Sequence, residues 1–431
     1  MRSQRLCFIV PALCLVACSE TPPPVEISSP PIVITGATLI DGSGAEPIED
    51  SVIVIRGERI ESVGARSDIA VPADAVFVEG EGKVVIPGLV DLHCHYRDGE
   101  EGFSHAFLSQ LRFGVTTARS LGADEEENLE IIAKARAGEI KAPRIYTAGR
   151  GFSSPEDGRG FLPTDENEAR WRVRELVSQN VDVVKMWVDT KFGTVTKITP
   201  EIRAAIVAEA AEHGIPATAH IYDEEDVRQL ADIGVTDFVH SVRNHEVDAS
   251  FVAYAVEKGL SFAPALGQAQ HFWYLAENPD DLHAEDFRQA FTAAKADRLL
   301  QPEGRKQLLA NPNLAKLKAD FALAQSFIKT MHDAGVMIAV GSDSGVGQIA
   351  FGWGTHHEMA QLVAAGLTPI EAIAAATGNS ARVLEGRDAE FGVLAAGKIA
   401  DLVILGADPR IEIGNTRAIE WVMQSGQWLD L

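Results

Sequence analysis

Cysteine is scarce, and its placement excludes a disulfide-built fold. Of the four cysteines, Cys7, Cys14 and Cys18 crowd the N-terminus, leaving Cys94 alone in the body of the chain. No internal disulfide framework is therefore available. Positive charge is also scarce: 38 Lys and Arg face 62 Asp and Glu, a formal net charge of -24. That balance argues against a nucleic-acid partner, which would want a basic face. The apolar run from Leu6 to Val16 is too short to span a bilayer. Phosphate-type glycine loops after a first strand are missing too, which counts against a doubly wound nucleotide-binding sheet.

What is present is a chain of 431 residues, 46% of them hydrophobic, enough to bury a large core in one or two domains. Residues 1–17 read as a signal peptide, with Arg2 and Arg5 before the apolar run. Leu15-Val16-Ala17-Cys18 resembles a bacterial lipobox, which would make Cys18 a lipidated first residue. The competing reading is an ordinary secretory signal with Cys18 incidental. The Pro/Ser-rich stretch to residue 31 reads as a flexible tether, which favours the lipobox. The expected location is the bacterial cell envelope, as a periplasm-facing or outer-membrane lipoprotein held to the membrane by its anchor alone.

From Gly114 onward the chain repeats an amphipathic helix, a glycine, a short apolar strand and a polar loop. Gly114, Gly214, Gly234, Gly259 and Gly335 mark helix-to-strand junctions, and Asn180 can do the same job. Thr199-Pro200-Glu201, Asp248 and Thr368-Pro369-Ile370-Glu371 read as helix starts. Eight strands are predicted, near 84–92, 115–120, 144–149, 181–188, 216–221, 237–242, 261–266 and 337–342. Strands alternating with helices imply parallel βαβ units, and eight is the number of a (β/α)8 TIM barrel. The barrel is expected over 84–390, with an insertion near 267–336 that reads either as a lid or as a docked helical segment with core aromatics. Residues 32–83 and 391–431 lack convincing helices and suggest a small β-sandwich built from both ends.

Six residues stand at or near strand ends: His93, His95, Lys185, His220, His240 and Asp343. In such barrels the chemistry lies at the C-terminal ends of the strands. Residues i and i+2 of a strand point the same way, so His93 and His95 can bind one metal from one face. Lys185, inside Val-Val-Lys-Met-Trp-Val, is costly to bury as an unpaired ammonium. It reads as a neutral amine carboxylated to bridge two metals, or as a plain cation for a substrate carboxylate. Asp343 is the general-base candidate, able to accept a proton and return it to a leaving amine. Asp91 shares the face of the histidine pair and reads as an orienting partner of a ligand or as a buried structural carboxylate. Cys94 alternates with the pair and is expected in packing. Tyr222 and Arg243 are candidate substrate contacts. The adjacent His356 and His357 are left out of the site. The acidic runs Asp124–Glu127 and Asp223–Asp226 read as solvated helix starts.

The motifs Pro87-Gly88-Leu89-Val90-Asp91-Leu92-His93-Cys94-His95, Gly114-Val115-Thr116-Thr117, Val184-Lys185, Ala219-His220, Val239-His240, Gly341-Ser342-Asp343 and Gly397-Lys398-Ile399-Ala400-Asp401-Leu402-Val403 resemble those of the amidohydrolase superfamily. The likeness covers about 32–431 and is nearest the imidazolonepropionase-like and prolidase-like branch. It implies two divalent metals, with zinc the default. His93, His95 and Asp343 would hold one and His220 and His240 the other, bridged by carboxylated Lys185 and a hydroxide that attacks an amide carbonyl. It also implies that Tyr222, in His220-Ile221-Tyr222, contacts a substrate α-carboxylate. After the sixth strand this chain has His240-Ser241-Val242-Arg243, where the branch often has His-Gly. The expected activity is hydrolysis of an amide in a small carboxylate-bearing substrate, such as a dipeptide or N-acyl amino acid, by a homo-oligomer. The alternatives are a one-metal cyclic-amide hydrolase or deaminase, and a non-catalytic envelope binding protein.

Overall fold

The computed structural model describes residues 30–290, 297, 301–347 and 349–431. The predicted signal peptide, the lipidation site Cys18 and nearly all of the tether lie outside the described residues. The strands fall in three groups along the chain. First come β1 (Ile32–Leu39), β2 (Ile48–Arg56), β3 (Arg59–Ala65), β4 (Val76–Glu79) and β5 (Val84–Pro87). Next, alternating with helices, come β6 (Leu89–Cys94), β7 (Val115–Ser120), β8 (Arg144–Thr147), β9 (Val184–Trp187), β10 (Ala217–His220), β11 (Asp237–Val239), β12 (Ser261–Ala263) and β13 (Met337–Ile338). Last are β14 (Leu402–Leu405), β15 (Ile419–Gln424) and β16 (Gln427–Trp428).

The middle group is a TIM-barrel-like α/β layer. β6, β7 and β8 form one parallel sheet, and β9 to β13 form a second in sequence order. Backbone hydrogen bonds run across both gaps: Leu92 N to Val340 O at 2.9 Å, and Asp182 N to Thr147 O at 2.8 Å. Expected helix signals are in place. Thr199 and Asp248 cap their helices, Thr368 and Glu371 form a capping box, and Asn180 takes the left-handed conformation at φ 58°. The helices pack Phe103, Phe107, Ile206, Phe251, Phe327 and Met331 around the strands in one continuous apolar core.

One boundary differs from the sequence reading. The predicted strand 84–92 is two strands: β5 pairs with β1 and β14 in the terminal sheet, and only β6 belongs to the barrel layer. Pro87 has no N–H to continue a ladder, and a Cβ at Gly88 would meet Thr116 Oγ1 at 2.2 Å, so the chain breaks and turns at this pair. The two chain ends form a single hydrogen-bonded, eight-stranded sheet in the order β16-β15-β14-β5-β1-β2-β3, with β4 also on β1. β1 pairs with β4 along its first half and with β5 along its second. Ile34, Leu39, Ile53, Leu402 and Met423 make its core.

The described part of the long insertion is docked. Leu275, Leu282 and Phe287 pack with Phe113 and Trp353, and the helix Leu314–Asp333 buries Phe327, Ile328 and Met331. Among the described residues no helix is long and apolar enough to cross a membrane.

Candidate active site

Strand direction gathers the six residues at one mouth of the barrel layer. His93 lies in β6, with His95 one residue beyond its end; Lys185 lies in β9, and His220 ends β10. His240 follows β11, and Asp343 follows β13 after a short extended run. The backbone is strained where two of them stand: His240 has φ 70° and Asp343 φ 59°. Left-handed conformations at non-glycine residues cost of the order of 1–3 kcal/mol each and persist where the surroundings over-determine them. Gly341 lets β13 run on past β6, since a Cβ there would meet His93 Cβ at 2.8 Å.

His93 Nε2 and His95 Nε2 are 3.1 Å apart. Asp343 Oδ1 lies 3.4 Å from the first and 3.0 Å from the second. All three residues are buried and form a group able to hold a metal ion. Two imidazole lone pairs and a carboxylate oxygen turned on one point repel one another unless a cation or proton sits among them. Tetrahedral zinc with bonds of about 2.0–2.1 Å would set its ligands roughly 3.3–3.4 Å apart. The donors therefore fit a divalent ion. Asp343 Oδ1 has no hydrogen-bond partner among the described residues, and neither do His93 Nδ1 and His95 Nδ1. The rings are held by packing and strand position, without the outer carboxylates that usually orient metal-ligating imidazoles.

The other three adjoin this group. The His240 ring centre is 5.2 Å from that of His93 and 4.4 Å from that of His220. Lys185 is fully buried, and its Nζ has no hydrogen-bond partner among the described residues. Burial pushes its pKa well down, towards the neutral amine. Burial also lowers His93 and His240 well below the usual histidine range and brings His220 to about 4. His220 Nε2 is turned to Asp189 Oδ2 at 3.2 Å. Sequence reading missed Asp189. Its signal is its place two residues past the end of β9, on the same side of the sheet as Lys185 and Trp187.

The contacts place the remaining residues singled out in the sequence. Asp91 does not reach a histidine ring. It accepts from His93 N at 3.1 Å, Ser342 N at 2.9 Å, Ser342 Oγ at 2.6 Å and Thr355 Oγ1 at 2.8 Å, tying β6 to the Asp343 loop. Tyr222 and Arg243 pack against each other beside the mouth, and neither lines its cavity. The Tyr222 hydroxyl donates to Asp320 Oδ2 at 2.8 Å and accepts from Lys316 Nζ at 2.7 Å. Arg243 donates to the Ile221 and Ser241 carbonyls at 3.1 and 2.9 Å. Asp124 and Asp226 are buried rather than solvated: Asp124 accepts from Ser120 and Thr147, and Asp226 pairs with Lys197 and Arg203. Cys94 packs in the core as expected, taking a bond from Gln110 Nε2 at 3.2 Å. His356 and His357 also stay outside the site, bonded to Thr416, Phe113 and Gln270.

The mouth opens into a cavity of about 500 Å³ that reaches His93, His95, His220, His240 and Asp343. Fold, strand-end histidines and cavity together define a hydrolase of the metal-binding barrel class. Residues 84–429 match the model of the Amidohydrolase family, and the chain belongs to that family. It is a hydrolase acting on carbon–nitrogen bonds, in the imidazolonepropionase- and prolidase-like branch. The imidazolonepropionase of Cereibacter sphaeroides (strain KD131) is 30% identical over 413 residues, covering 88% of this chain and 93% of that protein. A crystal structure of a candidate prolidase from Bifidobacterium longum superposes with a TM-score of 0.72 at 27% identity, covering 94% and 95% of the two chains. A Xaa-Pro dipeptidase with bound methionine shares the fold, with a TM-score of 0.73 at 20% identity over 93% and 99%.

Proposed function

We propose that this protein is a metal-dependent hydrolase that cleaves the amide bond of a small, carboxylate-bearing substrate such as a dipeptide or an N-acyl amino acid. The observation that carries the reading is the convergence of His93 Nε2, His95 Nε2 and Asp343 Oδ1 within 3.4 Å in a buried pocket. Likeness to a candidate prolidase supports the linear amide. On this reading His93, His95 and Asp343 would hold one metal, zinc by default. His220 and His240 would hold a second, and Lys185, once carboxylated, would serve both. A bound divalent ion would polarise the carbonyl and acidify water. Asp343 would take the proton of the attacking water on the carboxylate oxygen that does not face the histidine pair and return it to the departing nitrogen. Lys185, buried and unpaired as an amine, gains partners once carboxylated. The fold reading completes the picture: β6–β13 close into one barrel over about 88–390, and the terminal sheet packs as a small sandwich. A lipid anchor at Cys18, an envelope location and a homo-oligomer complete the proposal.

One observation favours a second reading, a one-metal cyclic-amide hydrolase. His220 Nε2 faces Asp189 rather than the His93–His95–Asp343 group, and the imidazolonepropionase relative is 30% identical. Metal content by plasma emission after reconstitution with zinc and bicarbonate separates the two. About two equivalents, falling towards one in Lys185→Ala together with turnover of linear amides, is the expected result. One equivalent insensitive to Lys185→Ala, with turnover of ring amides alone, overturns it. A chain that binds no metal would revive the non-catalytic alternative.

A further inference from the structure

The residues expected to read a substrate carboxylate, Tyr222 and Arg243, are engaged elsewhere, yet a different cation stands in the cavity. Arg159 lines it, on the loop after β8, together with Trp187 of β9. That loop is built to hold it. Phe152 N donates to Lys185 O and Trp187 N donates to Phe152 O, both at 2.8 Å, so residues 151–153 run beside β9 as a short parallel bridge. The Ser153 hydroxyl then clamps the Arg159 backbone, accepting from its N–H at 3.1 Å and donating to its carbonyl. Gly160, at φ +63°, passes so close to Gly151 that a Cβ would meet the Gly151 carbonyl oxygen at 2.0 Å. The loop can close only with glycine there.

The side chain is fixed as well. Arg159 Nε and Nη2 bond the two oxygens of Asp157 at 2.8 and 2.7 Å, and its guanidinium carbon sits 4.7 Å from the centre of the Trp187 ring. Lys191 also pairs with the buried Asp157 carboxylate. Two cations on one carboxylate leave one positive charge uncompensated. The bonds to Asp157 leave Nη1 unused, and the side chain is 39% exposed and lines the cavity. The rim carries acids too, Asp98, Glu125 and Glu127, but on the loop after β6 and at the start of the helix after β7. The cavity is therefore bipolar, with its preorganised cation next to Trp187.

We propose that Arg159, stacked on Trp187 and braced by Asp157, is the specificity residue that binds the substrate carboxylate in this cavity. This rests on the reading that the substrate bears one. A planar guanidinium offers parallel N–H donors to a carboxylate, and a hydrogen bond to a charged partner contributes about 1.5–3 kcal/mol. Losing it should weaken binding about 10- to 100-fold.

The test is calorimetric titration of the metal-loaded enzyme with N-acetyl-L-leucine and N-acetyl-L-phenylalanine, and with their carboxamides. Turnover is followed in the same samples. Wild type is expected to prefer the carboxylates. Arg159→Gln should lose that preference 10-fold or more, Arg159→Lys should recover part of it, and carboxamide binding should be unchanged. Arg97→Gln, which removes a rim cation from the loop after β6, serves as the matched control and should keep the preference. Equal binding of carboxylates by wild type and Arg159→Gln, loss in Arg97→Gln instead, or no carboxylate binding by wild type would each overturn the proposal. Carboxylate binding that depends on Arg159 without turnover of any amide would instead overturn the assigned reaction and leave this inference standing.

Discussion

Asp91 is where the structure makes its sharpest demand on a single side chain. The carboxylate is fully buried and accepts four hydrogen bonds, two from backbone N–H groups of His93 and Ser342 and two from the hydroxyls of Ser342 and Thr355. Burial pushes its pKa up, so the charge itself is a burden at this site. The four acceptor positions, more than the charge, are what the fold uses. Asp91→Asn keeps one oxygen for the two backbone donors, both of which lie on Oδ1. Its amide NH2 then faces two hydroxyls, and hydroxyls can rotate to accept. Ser342 can redirect its proton to Ser344 Oγ, 2.6 Å away. Asp91→Ala has no such remedy, because a backbone N–H cannot reverse its role. Two orphaned donors at about 1–3 kcal/mol each imply a loss of roughly 3–5 kcal/mol, against about 1 kcal/mol for the asparagine.

The consequence should reach the metal group, because the Asp91 bonds hold the Asp343 loop in register with β6, where Asp343 N donates to His93 O at 2.7 Å. Thermal unfolding of the metal-free and zinc-loaded forms, with zinc content by emission spectroscopy, reads both effects. The expected order of stability and zinc retention is wild type, then Asp91→Asn close behind, then Asp91→Ala far below. Asp91→Ala matching Asp91→Asn in both measurements would refute the reasoning, since the acceptor count would then not matter.

Gly345→Ala should be as damaging as a ligand loss: at φ +93° an added Cβ would lie 2.0 Å from the His95 carbonyl oxygen, so at least about 2 kcal/mol and most of the zinc affinity should go; unchanged zinc content would contradict this. Burial lifts Glu358 to about 8 from its ordinary 4.5 while its oxygens accept from Leu266 N and Gly267 N. The folded state thus holds a proton that the unfolded state releases, so this contribution is whole below about pH 4.5 and is lost as pH rises towards 8, by about 1.4 kcal/mol per unit across that window. Melting temperatures from pH 5 to 8 should fall less steeply in Glu358→Gln than in wild type, and parallel slopes would rule the assignment out. Tyr222→Phe should cost about 1 kcal/mol through its lost bonds to Asp320 and Lys316, with KM unchanged; a tenfold rise in KM without loss of stability would return Tyr222 to the substrate.

The alternation of strand and helix and the gathering of the six residues at strand ends were legible because both follow from local rules. A helix ended by Gly or Asn in a left-handed turn, then a short apolar strand, is visible in any βαβ repeat, and the shared direction of parallel strands alone carries the ends of β6, β9, β10 and β11 to one side of the layer. The strand at 84–92 was misjudged because periodicity does not register that Pro87 and Gly88 divide one apolar run between two sheets. Asp124 and Asp226 were read as solvated because a carboxylate at a helix start is usually exposed. Their partners, Thr147 and Arg203, lie 23 residues away in each case, too far for a pattern argument to supply them.

Substrate contacts follow a different logic, and there the structure gives the two predicted residues other partners. A metal ligand is held by the strand it stands on, so its role survives translation into position along the chain. A residue that reads a substrate stands on a loop whose course is decided by tertiary bonds. Tyr222 and Arg243 follow strands β10 and β11 directly and so looked like cavity residues. The helix Leu314–Asp333 reaches over and takes the Tyr222 hydroxyl, and the backbone takes Arg243. Arg159 had nothing in its neighbourhood to recommend it, because Trp187 is 28 positions on and the two meet only through the bridge of Phe152 to β9. On the proposed reading the reaction is carried by residues at strand ends. Selectivity follows from which loops the insertion and the β8 bridge leave free to face the cavity.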